Sequence, residues 1–496
     1  MGSVSVGSFR SGLGRSALRV GIAGLAVLAG CNRGAVDAAI VFDNVTLIDG
    51  TDRGAVPGMS VAIDGERIIA VAPTDKIRLG TVGTRIDGSG QYLIPGLWDM
   101  HVHLHGYRER ALPLFLANGV TTIRDLSGPP ATVGWIRQEV RAGRMLGPEV
   151  LMSGPVLDSP VLARPGRTGR LAVPTPEAAE AAVDSLSSLR VDLIKVHSLT
   201  PRAAYLRIME LAKERNLTVA GHIPDSISYR EAIEAGQRTI EHALGIEFPN
   251  SSREEAITAW YRATTHRTIQ RLGPKPQLDP IFRLRLAAYD SAAASYDSAK
   301  AAAFAELAAS KPVWFDPTLV VMEVIARGSE TAIRQPPELK YTPKEMLDYD
   351  DGVPFIANPT PAQIEAGRRK WEQIKLGMRE LIRAGAKFVA GTDVPVLPQV
   401  PGFSLQHELE LLVEAGLTPL GAIQAASRNA AAAMNLSDKG TIEVGKVADV
   451  VLVRADPLAR ISNTREVETV VARGRLLDRA TLDRFLQEAE AFARQR

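Results

Sequence analysis

The sequence has one cysteine, Cys31, among 496 residues, so no intramolecular disulfide can form. It also lacks a charge of one sign, since 58 Lys and Arg against 56 Asp and Glu leave a net +2. Arg10, Arg15 and Arg19 stand in the first thirty residues without an acid, so the rest of the chain is close to neutral. That balance gives no electrostatic case for nucleic-acid binding. Beyond the first thirty residues, no window approaches the roughly twenty consecutive apolar residues of a membrane-spanning helix. Internal repeats and long low-complexity segments are absent as well. Apolar residues are not scarce: 45% hydrophobic and 23% charged residues exclude disorder over most of the length.

The leader carries its own pattern. Arg15 and Arg19 precede an apolar stretch from Val20 to Leu28, followed by Ala29, Gly30 and Cys31. A basic start, a short apolar stretch and small residues predict a secretory signal peptide over residues 1–30. The stretch is too short to span a bilayer. The Leu-Ala-Gly-Cys ending resembles a bacterial lipobox, in which Cys31 receives lipid and becomes the mature N-terminus. This predicts an exported protein anchored by lipid in the bacterial cell envelope, facing the periplasm or associated with the outer membrane. Ordinary cleavage beside an incidental cysteine is the alternative.

The body divides by pattern. Residues 31–93 and 437–477 read as short strands, with Asp64-Gly65 between two apolar runs as a hairpin signal. Between them, over 94–436, apolar strands alternate with helical stretches. The strand candidates are Leu97–His101, Thr121–Arg124, Val150–Ser153, Leu193–Val196, Val219–Gly221, Thr239–Glu241, Val313–Asp316 and Phe388–Ala390. Continuous apolar strands between helices indicate a buried parallel sheet, and eight of them predict an α/β fold with a (β/α)8 barrel. Helices are expected over Glu177–Leu189, Pro201–Arg215 and Gln363–Ala384, with one more at the C-terminus over 478–496. Two long insertions, near 245–312 and 320–380, follow strands six and seven. They read as a cap over the end of the barrel where active sites form, and the first contains an Ala-rich helical stretch from Leu284 to Ala309.

The chemistry concentrates at strand ends. In Leu97-Trp98-Asp99-Met100-His101-Val102-His103, residues i and i+2 point the same way, so His101 and His103 can face the interior together and begin a zinc site. His222 ends Val-Ala-Gly-His, His242 ends Thr-Ile-Glu-His, and Asp393 ends Val-Ala-Gly-Thr-Asp. Lys195 lies in the apolar run Leu-Ile-Lys-Val. An ammonium about 4 Å from a dication, at an effective dielectric near 20, is repelled by roughly 8 kcal/mol. Lys195 must therefore be neutral, turned away or chemically converted. His197 shares its strand parity and can face a substrate or sit behind the ligands. Arg124 suits a substrate carboxylate or a pair with Asp125. His105 reads as surface or supporting, and His266 and His407 lie in helical segments as structural residues.

On these residues the chain resembles the metal-dependent amidohydrolase superfamily, in its imidazolonepropionase-like and prolidase-like (Xaa-Pro dipeptidase-related) branch. The resemblance runs from about Val41 to about Leu477 and includes the closing segment Gly440-Thr441-Ile442-Glu443-Val444-Gly445-Lys446-Val447-Ala448-Asp449. It implies that both chain ends form a small composite β-sandwich beside the barrel. It implies two Zn2+ ions bridged by carbamylated Lys195, with His101, His103 and Asp393 on one ion and His222 and His242 on the other. Asp393 then serves as proton carrier, with His242 or the second ion polarising the carbonyl. The implied partner is a small amide, peptide or lactam substrate, and a homo-oligomer is compatible. One departure stands out: His197-Ser198-Leu199-Thr200 replaces the Met-Ala-Ser-Gly-Gly-like run of binuclear prolidase-like relatives, which removes the argument for dipeptide specificity. The rival readings are a mononuclear deaminase or imidazolone hydrolase with unmodified Lys195, and a metal- or peptide-binding lipoprotein without turnover.

Overall fold

A computed structural model describes residues 35–104, 106–163, 169–272, 279–347 and 359–495. The signal-peptide and Cys31 expectations, and that for His105, lie outside the described residues.

Eight parallel strands carry the middle of the chain. They are β1 (Leu97–Val102), β2 (Val120–Asp125), β3 (Glu149–Met152), β4 (Leu193–Val196), β5 (Thr218–Gly221), β6 (Thr239–Glu241), β7 (Trp314–Asp316) and β8 (Lys387–Phe388). β1-β2-β3 form one sheet and β4 to β8 another, whose β4 edge also carries two short strands, Val156–Asp158 and Arg170–Ala172. Hydrogen bonds join these sheets on both sides. The Asp192 amide donates to the Met152 carbonyl (2.9 Å), while the Met100 and His103 amides donate to the carbonyls of Ala390 (2.9 Å) and Val394 (2.8 Å). The last strand is shorter than the expected Phe388–Ala390. Residues 390–394 leave β7 to bond β1 instead, where the Asp99 carboxylate accepts from the Thr392 amide (3.1 Å) and hydroxyl (2.7 Å).

Every residue of β1 and β2 is buried, as continuous apolar strands between covering helices require. The helices follow the sequence pattern closely. Pro176–Ser188 starts on the Thr175 cap, Arg202–Glu214 covers the next turn of the sheet, and Pro361–Arg383 begins with a capping box of Thr360 and Gln363. The Ala-rich stretch is two helices, Asp279–Ala293 and Ser298–Ser310. The Asp297 carboxylate accepts from the amides of Ala299 and Lys300 and so starts the second helix afresh.

Both ends of the chain enter one further sheet of eight strands. Val450–Val453 pairs antiparallel with Tyr92–Pro95, which joins Arg475–Leu477 and Val467–Ala472 to Val36–Ile48, Ala55–Asp64 and Arg67–Pro73, and Leu79–Asp87 pairs parallel with Val36–Ile48. The Asp64-Gly65 turn forms as expected, with Asp64 opposite Arg67 and Gly65 at a φ of +52°. The helix Arg479–Arg494 closes the chain on an Asp478 cap.

Candidate metal centre

His101 and His103 leave β1 on the same side, and Asp393 meets them from the segment after β8. Their ligand atoms lie within 4.8 Å of one another. His103 Nε2 is 2.8 Å and His101 Nε2 3.2 Å from Asp393 Oδ1. Beside them the His101 and His242 rings stand 4.7 Å apart and the His242 and His222 rings 4.6 Å. Lys195 Nζ is 3.2 Å from His101 Nε2. The structure thus brings together all six residues singled out as ligands, from β1, β4, β5, β6 and the turn after β8.

The imidazoles are turned by groups behind them. The Nδ1 atoms of His103, His222 and His242 are hydrogen-bonded to the hydroxyls of Ser127 (2.6 Å), Ser198 (2.7 Å) and Thr318 (2.7 Å). With Nδ1–H donated to a hydroxyl oxygen, Nε2 keeps its lone pair for an ion. Backbone geometry is tuned to the same end. Asp393 (φ +59°), His242 (φ +67°) and Thr318 (φ +44°) all occupy the left-handed region, which costs energy in residues other than glycine. The two Val-Ala-Gly motifs need their glycines: a Cβ on Gly221 would lie 2.1 Å from the Val196 carbonyl, and one on Gly391 2.6 Å from the Asp316 carboxylate.

The electrostatics suit ligation. Burial holds His222 and His242 well below the ordinary histidine value, so both are neutral, the form that binds a cation. Burial would raise Asp393, but the His101 and His103 rings hold it well below the carboxylate range, ionised. Lys195 is pushed down to about 8 by burial, against the pull of Glu241 and Asp393. A lysine so placed is still mostly charged at neutrality, but its uncharged form, the one that can be converted chemically, is far more populated than in an ordinary lysine. Two neutral imidazoles, two further imidazoles, a carboxylate and a lysine turned towards one point fit divalent-cation chemistry.

Arg124 differs from both sequence alternatives. It is fully buried beneath the ligands and cannot meet a substrate. Its Nη2 donates to both Glu241 oxygens (2.9 Å each) and to Asp316 Oδ2 (3.2 Å). Asp125 instead accepts from the amides of Leu104 (2.7 Å) and Gly128 (2.6 Å). His197 lies over His222, ring centroids 4.1 Å apart, with Nδ1 3.0 Å from Asp158 Oδ2. Burial and the nearby Arg170 push His197 down to about 4, so it is neutral. His266 is on the exposed face of the helix Glu254–Leu272, and His407 pairs with Glu323, both away from the centre. Glu241 and Asp316, which the sequence reading passed over, form the floor below His101. Their only sequence signal is an acid inside each of the apolar strands Thr-Ile-Glu and Trp-Phe-Asp.

The first insertion is fastened beside the ligands. Asp225, three residues after His222, accepts from Arg285 Nη2 (3.0 Å) and the Tyr261 hydroxyl (2.8 Å), and its carbonyl from Arg262 Nε (2.8 Å).

The amidohydrolase family model matches residues 92–477, and the chain belongs to that family. Among curated proteins it is similar to an adenine deaminase of Rubrobacter xylanophilus, 34% identical over 114 residues. It is also similar to an imidazolonepropionase of Symbiobacterium thermophilum, 37% identical over 98 residues. These matches span 20% and 19% of this chain, and only 19% and 22% of the two relatives. Among solved structures, a bottromycin amidohydrolase superposes with a TM-score of 0.71 at 23% identity, over 91% of this chain and 90% of that one. A protein described as a prolidase of Bifidobacterium longum gives 0.61 at 24% identity, over 91% and 99%. Both span nearly the whole of this chain and of their own, so the fold is shared over that extent.

Proposed function

We propose that this protein is a metal-dependent hydrolase of amide or cyclic-amide C–N bonds, with a dipeptide, N-acyl amino acid or lactam as substrate. One observation carries the reading: three imidazoles with Nδ1 tied to hydroxyls gather in one cluster with His101, Asp393 and Lys195. In this reading the eight strands close as a (β/α)8 barrel over 94–436, the ends of the chain make a sandwich beside it, and the insertions cap the site. A barrel presents its chemistry at the C-terminal ends of its strands, where all six residues lie.

His101, His103 and Asp393 would hold one Zn2+, and His222 and His242 a second, with carbamylated Lys195 between them. Bound there, the metal supplies a Lewis acid and an acidified water. The chain's own residues do the rest. Asp393, ionised and set between His103 and His242, would take the proton of the attacking water and deliver it to the leaving nitrogen. His242, through the ion it would hold, would help polarise the carbonyl. His197, neutral and stacked on His222, walls the substrate space. The basic and apolar leader supports export, with Cys31 lipidated as the anchor in the cell envelope. The deaminase reading is favoured by a single observation, the local similarity to adenine deaminase.

The test is a turnover screen of zinc-loaded protein on N-acyl amino acids, Xaa-Pro dipeptides, lactams and adenine. Release of an amine and a carboxylate from an amide, abolished by chelation, is expected. Ammonia from adenine with no amide cleavage would replace this reading with the deaminase.

A further inference from the structure

Beneath His101 lies a second set of ligand chemistry that already contains a cation. Ligand atoms of His101, Glu241 and Asp316 all lie within 4.8 Å of one another, and all three residues are buried. One atom of that set, Asp316 Oδ1, is buried without a hydrogen-bond partner. His101 therefore faces two ways: Nε2 towards Asp393 (3.2 Å) and Nδ1 towards Glu241 Oε2 (3.1 Å).

The guanidinium of Arg124 occupies the carboxylate side. Besides its contacts with Glu241 and Asp316, Nε donates to the Met100 carbonyl (2.6 Å) and Nη1 to the Thr239 hydroxyl (3.0 Å), and that hydroxyl donates to Glu241. A guanidinium cannot lose its charge, and its planar fork is held here from four directions. Gly391 confines the set from the β8 side, since a Cβ there would strike both the Asp316 carboxylate and His101 Cβ. A small dication binds imidazole nitrogen and carboxylate oxygen at about 2.0–2.2 Å, so three such atoms in one cluster would take it readily. It would then draw His101 away from His103 and Asp393.

We propose that Arg124 is a resident cation that closes a second metal-ligand set of His101, Glu241 and Asp316, and so keeps His101 committed to the His103–Asp393 side. The proposal rests on the reading of His101 as a ligand. An ion pair with a purely structural role would lose the same stability whether or not metal is present. A plug over a metal site predicts that zinc replaces it.

The experiment uses the full chain as wild type and Arg124→Met, each stripped of metal and titrated with zinc chloride. Bound zinc is counted after removal of the excess, and melting temperature is read with and without zinc. Arg124→Met should hold about one more ion per chain than wild type and gain more thermal stability from zinc. In Arg124→Met with Glu241→Gln, where the carboxylate charge leaves with the guanidinium, the extra ion should be absent. Cobalt loading of Arg124→Met should add absorption bands missing from wild type. A wild-type zinc count in Arg124→Met, an extra ion that persists in the double variant, or an Arg124→Met protein unfolded at every zinc concentration would each overturn the proposal. Wild-type zinc content alone tests the metal-centre reading, whereas the difference between variant and wild type tests this one.

Discussion

In the proposed mechanism Asp393 has two tasks that a substitution can separate. Its carboxylate touches His101 and His103, and its left-handed backbone aims it into the site. Asp393→Asn retains an oxygen for an ion but loses the charge and the proton acceptor. Metal content should survive better than in His101→Ala, and turnover should fall by about 10²–10⁴-fold. Zinc analysis beside steady-state kinetics checks both; a metal-replete Asp393→Asn with more than about a tenth of wild-type activity means another group moves the proton. Lys195→Ala should lower the zinc count from two per chain towards one or none. Because burial holds the Lys195 amine near 8, its uncharged fraction grows as pH rises through that value. Bicarbonate should therefore assist zinc uptake by stripped wild-type protein more at pH 8.5 than at pH 6.5, and should not assist Lys195→Ala.

Elements explain what was readable in the sequence. The central strands are buried on both faces, so each is a short apolar run, and a single polar residue at its C-terminal end stands out. That is why His101, His103, Lys195, His222, His242 and Asp393 could be picked from pattern alone. Ser127, Ser198 and Thr318 could not, because a hydroxyl in a loop has no distinguishing context until the fold brings it to an imidazole. Arg124 was misread because its partners lie on β6 and β7, over a hundred residues away. The broken Ala-rich helix was hidden by high helix propensity on both sides of Asp297. Two predictions belong at this scale. Gly391→Ala should destabilise the protein by about 1–3 kcal/mol, read by denaturant unfolding, since its Cβ would overlap the Asp316 carboxylate and His101. His407 lies 2.8 Å from Glu323, and Glu323 and Glu410 raise it to about 9 despite its burial. A histidine raised on folding stabilises below its ordinary value near 6.5 and loses that contribution as pH rises through 9. The drop in melting temperature of His407→Gln should accordingly be larger at pH 6 than at pH 10, and equal drops would contradict the pairing.

At the scale of the whole molecule, two bodies of structure meet at the ligand face and a third holds the other end of β1. The strand ends bring the ligands, the helices of the first insertion fasten to the loop after His222, and the sheet built from both chain ends bonds to Gly96 just before β1. Among the described residues no helix is long and apolar enough to cross a membrane, and the proposed anchor is Cys31. Cys31→Ser should release the protein from the membrane fraction or leave it uncleaved, and mass spectrometry of an unmodified N-terminus elsewhere would remove the anchor. The central claim is that amide hydrolysis here runs on metal held by these six residues. Its most direct test is a titration: strip the protein of metal, add zinc in the presence of bicarbonate, and follow amide turnover against ions bound per chain. The account predicts no turnover in the stripped protein and full activity at two ions per chain. Full activity with one ion, or with none, would contradict it.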